Sequence, residues 1–378
     1  MRYSSYYLYR KYEKRDGQDV LPVIPTTYSI DGEGTMPKVL HLADDPNCGE
    51  IPWQYRWVNM DISTDYWCDE CDPDYSKMYF TTVAMQDNVT ITFNNGLDYS
   101  LDEGDSWLHS DLNPGATINA GERILWRGNR SPSSYGVGIG HFTSTGKYYI
   151  EGNPMSLLFG DNYIGQTSLS GYNYAFSSLF TNGNVDSTLV NAQNLSLPAT
   201  TLSEGCYSLM FHRCPLLLSA PQLPSASLAN SCYLYMFMNC SSLTAAPELP
   251  ATSLAEDCYH GMFAYCTSLT TAPELPATVL QFTGKGCYEE MFMGCTSLVK
   301  SPVLSASTVH TDSYREMFSG CTSLNEITCL ATSLYNWTAT SDWVKGVSPS
   351  GTFKKASNMT SWTTGDSGIP SGWTVQNI

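Results

Sequence analysis

The chain carries few charges and no long apolar run. Asp, Glu, Lys and Arg make up only 15 % of its 378 residues, against roughly a quarter in ordinary globular chains. No stretch approaches the ~18–20 consecutive apolar residues that a helical bilayer crossing needs, so membrane insertion is not expected. Basic residues are scarce, 19 against 36 acidic ones, for a net charge of −17. A chain of that sign does not wrap duplex nucleic acid. Histidine is limited to six positions, and the sequence contains no G-x-S-x-G, H-E-x-x-H or P-loop. Without a convergent constellation of nucleophile, base and stabiliser, the expectation is a non-enzymatic protein. The start, Met1-Arg2-Tyr3-Ser4-Ser5-Tyr6, has no apolar run of signal-peptide length. Synthesis in a reducing cytoplasm, with free thiols, is therefore expected.

What the chain does have is thirteen cysteines, most of them in a repeat. Cys206 leads to Met210, Phe211 and Cys214; Cys232 leads to Met236, Phe237 and Cys240. Cys258 leads to Met262, Phe263 and Cys266; Cys287 leads to Met291, Phe292 and Cys295. A fifth copy carries Met317, Phe318 and Cys321. The Met-Phe pairs are spaced 26, 26, 29 and 26 residues apart, a period that marks a stacked solenoid. Within a block the cysteines and methionine fall at i, i+4 and i+8, which reads as the apolar stripe of a short helix. The following Leu243-Thr244-Ala245-Ala246-Pro247-Glu248-Leu249-Pro250 is read as extended, because its prolines forbid helix. On a helix the paired cysteines lie about 12 Å apart, beyond the ~7 Å limit for a disulfide. Zinc spacing is also missing from the repeats, so the cysteines are expected to form a small apolar ladder and no metal is assigned. Cys68 and Cys71 form a lone C-x-x-C, a weak signal without a second pair.

The fold expectation is a multidomain, β-rich chain ending in an α/β leucine-rich-repeat-like solenoid. Residues 1–77, rich in Tyr, Trp and Pro, are read as a β-rich N-terminal attachment module. Residues 78–154, with Val89-Thr90-Ile91-Thr92-Phe93 and Asn95-Gly96, are read as a β-sandwich. The solenoid is placed at 155–333 and a Trp-bearing C-terminal cap at 334–378. Ser100-Leu101-Asp102-Glu103-Gly104-Asp105-Ser106-Trp107 resembles the Asp-box hairpin of sialidases and other β proteins, a structural turn. Carboxylates at Asp102, Glu103 and Asp105, or at Asp69, Glu70, Asp72 and Asp74, have the oxygen chemistry for Ca²⁺. No EF-hand or nonapeptide pattern organises them, so solvated loops are the reading and no cofactor is expected.

The units Met-Phe-x-x-Cys-x-Ser-Leu (Met236 to Leu243) and Ala-Pro-Glu-Leu-Pro-Ala-Thr (Ala246 to Thr252) resemble BspA-like leucine-rich repeats. These occur in proteins of gut Bacteroidetes and their phages. The likeness covers roughly residues 155–378. The N-terminal part, with Asp44-Asp45-Pro46-Asn47-Cys48-Gly49, resembles virion proteins of crAss-like Bacteroides phages. The resemblance implies a virion structural protein of tail or capsid fibre type, made in the host cytoplasm. It implies contacts with other virion proteins through the N-terminal module, and a repeat domain exposed to a host-surface glycan or protein. Homo-oligomerisation fits a fibre, although no coiled-coil heptad supports it.

Repeat positions that differ between copies are the candidate contacts, since they vary without disturbing the core. They include Tyr235, Asn239, His260, Tyr265, Glu289, Glu290, Arg315 and Glu316, with Ser208, Leu209, His212, Leu234 and Gly261 beside them. For any one of them taken singly, surface drift is the favoured reading. Three rival readings stay open: a bacterial cell-surface adhesin, a glycan-cleaving virion enzyme with the sandwich as catalytic domain, and an internal virion assembly part with no host-binding role.

Overall fold

The computed structural model describes residues 74–109, 115–128, 138–181, 183, 185–280 and 286–378. The attachment module assigned to 1–77, the Cys68/Cys71 pair and the carboxylates of Asp69, Glu70 and Asp72 fall outside them, apart from the last few residues of the module. Tyr75–Ile378 forms one compact unit.

Alternating apolar residues build its first part. The strands are β1 (Phe80–Ala84), β2 (Val89–Phe93), β3 (Asp98–Ser100), β4 (Leu108–His109), β5 (Gly115–Ile118), β6 (Arg123–Arg127), β7 (Phe142–Ser144) and β8 (Tyr148–Gly152). A one-turn helix α1 (Ser156–Phe159) and the strand β9 (Leu189–Leu195) follow. β2 buries Val89, Ile91 and Phe93 and turns Thr90 and Thr92 outward, as a period of two requires. One sheet has the order β4-β3-β6-β1-β8-β9 and a second the order β5-β2-β7. Their inner faces meet on aromatic side chains: Phe142 of β7 lies 5.1 Å from Phe80 of β1 and 5.0 Å from Trp126 of β6. The first sheet is antiparallel up to β8, which then pairs with β9 in parallel. Asn191 of β9 bridges in parallel to Ser219, so parallel stacking begins on the edge of this sheet. The division placed at 154/155 is consequently no break in packing: one apolar core runs from Phe80 to Trp373.

The Asp-box turn forms as its residues suggest. Gly104 N and Ser106 N donate to Ser100 Oγ (2.8 Å) and Asp102 Oδ1 (2.9 Å). Hydrogen bonds from Ser106 and Ser100 hold the Asp102 carboxyl down at about 2. Its oxygens are committed to the turn itself.

The C-terminal region is a β-solenoid. Its regular parallel strands are β10 (Lys300–Leu304), β11 (Thr308–Val309), β12 (Glu326–Cys329), β13 (Ser333–Leu334), β14 (Thr352–Lys355) and β15 (Thr374–Asn377). They stack as β10-β12-β14-β15 and β11-β13. Isolated parallel bridges continue the pattern upstream, as between Ala245 and Thr271.

The Cys-Met-Cys limb differs from the short helix that its spacing predicts. Among the described residues the only α-helix is α1. The limb is a chain of tight turns in which every fourth residue is left-handed: Gly205, Leu209 and Arg213 have φ of 59°, 57° and 57°. Backbone donors alternate between two partners. Ser208, Met210 and His212 donate within the chain, to Gly205, Tyr207 and Leu209. Tyr207, Leu209 and Phe211 donate to Cys232, Leu234 and Met236 one coil away, at 3.0, 2.8 and 2.9 Å. A helix would satisfy its interior donors internally and leave none for the next coil. Here half of them cross the gap, and the lateral bonds outweigh helix formation in so short a segment. A spacing of four fits both structures, which is why the sequence alone suggests the commoner one.

The limb carries two aromatic columns. Phe180, Phe211, Phe237, Phe263, Phe292 and Phe318 stack with centroids 5.2–5.8 Å apart. Phe176, Tyr207, Tyr233, Tyr259, Tyr288 and Tyr314 form the second, at 5.6–6.2 Å. Both columns reach Trp343, which stacks on Trp362 at 5.4 Å. At the other end Phe180 meets Phe142 of the sheets, at 6.0 Å. Trp343 is fully buried, whereas Trp337 of the same cap is 81 % exposed.

Buried hydroxyls in the second column find no partner: this holds for Tyr207, Tyr259 and Tyr288. An unpaired buried hydroxyl costs about 1–3 kcal/mol, and removing it without changing shape recovers part of that. Tyr259→Phe is expected to stabilise the protein by about 1 kcal/mol, read as a higher denaturation midpoint in urea. A loss of stability on that substitution would show that the hydroxyl is satisfied.

Candidate functional site

The left-handed residues of the turn limb carry several of the side chains that differ between copies. One such column runs through Leu209, Tyr235, Gly261, Glu290 and Glu316, with φ between 53° and 57°. A second, four residues on, runs through Arg213, Asn239, Tyr265, Gly294 and Gly320. An L-residue pays for this conformation, so glycine recurs there. Sterics add a second reason at two of the glycines. A Cβ on Gly261 would fall 2.1 Å from Tyr235 Cε1, and one on Gly294 would fall 2.5 Å from Tyr265 Cδ1. Each tyrosine lies over the glycine of the next coil. The sequence holds this signal, a tyrosine answered by glycine 26 or 29 residues later.

Around the first column six of the eight sequence-level candidates gather, on four consecutive coils. Tyr235 Oη lies 2.8 Å from His260 Nε2, and the two rings meet edge to face at 4.9 Å. His260 Nδ1 lies 3.4 Å from Asp257 Oδ1, and Nε2 lies 3.7 Å from Glu290 Oε2. Arg315 bonds Glu289 and lies 3.4 Å from Glu316. Burial lowers the His260 pKa, but hydrogen bonds and charge from Asp257 and Glu290 outweigh it and raise it overall. Burial raises Tyr235, and Glu290 and Asp257 raise it further, to about 12. Among the described residues, four carboxylates (Asp257, Glu289, Glu290, Glu316) thus gather with one guanidinium and one imidazole. Asn239 and Tyr265 belong to the second column; Tyr265 is 40 % exposed.

Two candidates are not surface groups. Glu289 is buried, with its carboxylate against Arg315, and Ser208 is buried with its Oγ 3.0 Å from Ser177 Oγ. Both directly follow a column tyrosine, where the turn directs the side chain toward the neighbouring coil. Sequence reasoning missed Asp257, whose partner at i+3 is His260. Asp257, His260 and Glu289 each offer one ligand atom, all within 4.8 Å of one another.

The ladder residues line a buried seam. Cys206, Cys232, Cys258, Cys287 and the methionines and phenylalanines of each block are buried, and the cysteines are free thiols. Their second members do more than fill space. Cys240, Cys266, Cys295 and Cys321 each donate to the carbonyl of a phenylalanine on the preceding coil (Phe211, Phe237, Phe263, Phe292), at 3.0–3.1 Å.

Taken together, fold and site define a β-rich protein with few helices whose C-terminal region is a β-solenoid bearing a polar and aromatic cluster on its turns. No helix among the described residues is long and apolar enough to cross a membrane. No family model, curated protein or solved structure matches the chain.

Proposed function

We propose that the chain is a non-enzymatic binding scaffold, a virion structural protein whose repeat region engages a glycan or protein of the host surface. The observation that carries the reading is the sorting of positions on the turn limb. Those that repeat (Cys, Met, Phe) lie in the dry seam, while Tyr235, Tyr265, His260, Glu290, Arg315 and Glu316 face outward to different degrees along successive coils. A solenoid with this division changes its contacts without changing its core, and a row of coils multiplies weak contacts. The half-buried Tyr235 ring beside carboxylates and a guanidinium, with the exposed Tyr265 ring of the second column, offers the stacking face and hydrogen bonds that a sugar or a polar peptide requires. The leucine-rich-repeat character, the virion setting and docking of residues 1–77 onto other virion proteins rest on the sequence resemblance.

The test is binding of the full chain to host cells and to a glycan array. Tyr235→Ala and Tyr265→Ala are expected to weaken binding about tenfold or more, while Val279→Ala leaves it unchanged. Binding that is indifferent to both tyrosines would overturn the assignment of this face. Turnover of purified capsule polysaccharide would instead favour the enzymatic alternative, and a failure of antibody against the repeats to label intact particles would remove the exposed virion role.

A further inference from the structure

We propose that Asp257, His260 and Glu289 form a site for one divalent transition-metal ion, which fastens two neighbouring coils of the solenoid.

Three ligand atoms of mixed nitrogen and oxygen character lie within 4.8 Å of one another. The decisive spacing is that of His260 Nδ1 and Asp257 Oδ1, 3.4 Å. Two donors at tetrahedral positions, each ~2.0–2.1 Å from a metal, stand about 3.3 Å apart. The geometry therefore serves a shared ion as well as it serves a long hydrogen bond. The outer atoms are also in place. A metal-bound imidazole normally passes its remaining N–H to a neighbouring oxygen, which fixes ring and tautomer. With Nδ1 on the metal, Nε2 carries that hydrogen and donates to Tyr235 Oη at 2.8 Å, with Glu290 at 3.7 Å behind it.

Charge points the same way. Asp257 and Glu289 are buried, and Glu290 stands beside them. Among the described residues, the guanidinium of Arg315 is shared between Glu289 and Glu316. Carboxylates gathered away from water are stabilised by a divalent cation held between them. The donor set selects its class: an imidazole with carboxylates suits Zn²⁺, Co²⁺ or Mn²⁺, whereas Ca²⁺ takes six to eight oxygens. Position supplies a purpose. Asp257 and His260 lie on the coil before the one interval of 29 residues, and Glu289 lies on the coil after it. The ion would join the two coils where the 26-residue register is interrupted. The site does not depend on any host-binding role.

Co²⁺ added to the full chain tests this, because nitrogen and oxygen donors give weak visible bands and thiolates an intense near-ultraviolet band, so the thirteen cysteines are told apart from the site. The expected result is one Co²⁺ per chain with the weak visible bands, displaced by Zn²⁺. Asp257→Asn and His260→Ala are expected to weaken that binding at least about tenfold, while His109→Ala leaves it intact. Zn²⁺ is expected to raise the thermal midpoint of the parent chain and not that of Asp257→Asn. Asp257→Asn is isosteric, so it carries the test if His260→Ala disturbs the fold. Absence of the visible bands at millimolar Co²⁺, a thiolate band alone, or variants that bind like the parent would each overturn the proposal.

Discussion

Raising the pH from 8 to 10 is expected to unfold the solenoid. Burial pushes the thiols of Cys206, Cys214, Cys266, Cys287, Cys321 and Cys329 up to about 12, and those of Cys232, Cys240, Cys258 and Cys295 well above their usual value. In the unfolded chain a thiol titrates near 8.5. A group whose pKa is higher in the folded state stabilises that state fully below the unfolded value. The contribution is lost as the pH climbs toward the folded value. By pH 9 to 9.5 each thiol has forfeited about 1 kcal/mol in all, and ten of them are free and buried. The sum is comparable to the whole stability of a typical domain, about 5–15 kcal/mol. The expected observation is a cooperative loss of circular dichroism between about pH 9 and 10. At pH 8, alkylation of the same thiols should run at least about a thousandfold slower than in urea. Stability that stays flat to pH 11, or rapid alkylation of the native protein, would mean that the seam is wet.

The second large effect is expected from Phe263→Ala. Phe263 is fully buried and stacked between Phe237 at 5.7 Å and Phe292 at 5.8 Å. Truncating a buried phenylalanine costs about 3–5 kcal/mol. Here the loss falls on two interfaces at once, because each coil is stabilised mainly by its neighbours. Hydrogen exchange should accelerate first in the coils around residues 237 and 292, and the urea midpoint should fall sharply. Val279→Ala, at a side chain 66 % exposed, should change stability by less than about 0.5 kcal/mol. An equal effect of the two substitutions would remove the column from its structural role.

The seam was legible in the sequence because burial repeats with the coil. Cys232, Met236 and Phe237 announce themselves by returning as Cys258, Met262 and Phe263. Strands such as Val89–Phe93 were legible through alternation. The conformation of the Cys-Met-Cys limb was not, because an i+4 spacing is shared by a helix and by a chain of turns with every fourth residue left-handed. Only the lateral partners of Tyr207, Leu209 and Phe211 distinguish them, and those lie 25 residues away. Tyr235, His260, Glu290, Arg315 and Glu316 could be picked out as variable, but their convergence could not, since it depends on the register between coils. Asp257 was missed for the same reason, and Glu289 was expected at the surface although it packs inward against Arg315.

By itself, then, the sequence determined that this chain stacks coils about 26 residues long on a dry seam of sulfur and aromatic groups, because periodic burial is written in residue type. The tertiary structure decided that half of the limb's backbone donors cross to the next coil, that the thiols donate to phenylalanine carbonyls, and that an imidazole meets several carboxylates across coils. Each of these depends on how one coil is set against the next, and that offset is fixed by contacts between residues distant in the chain.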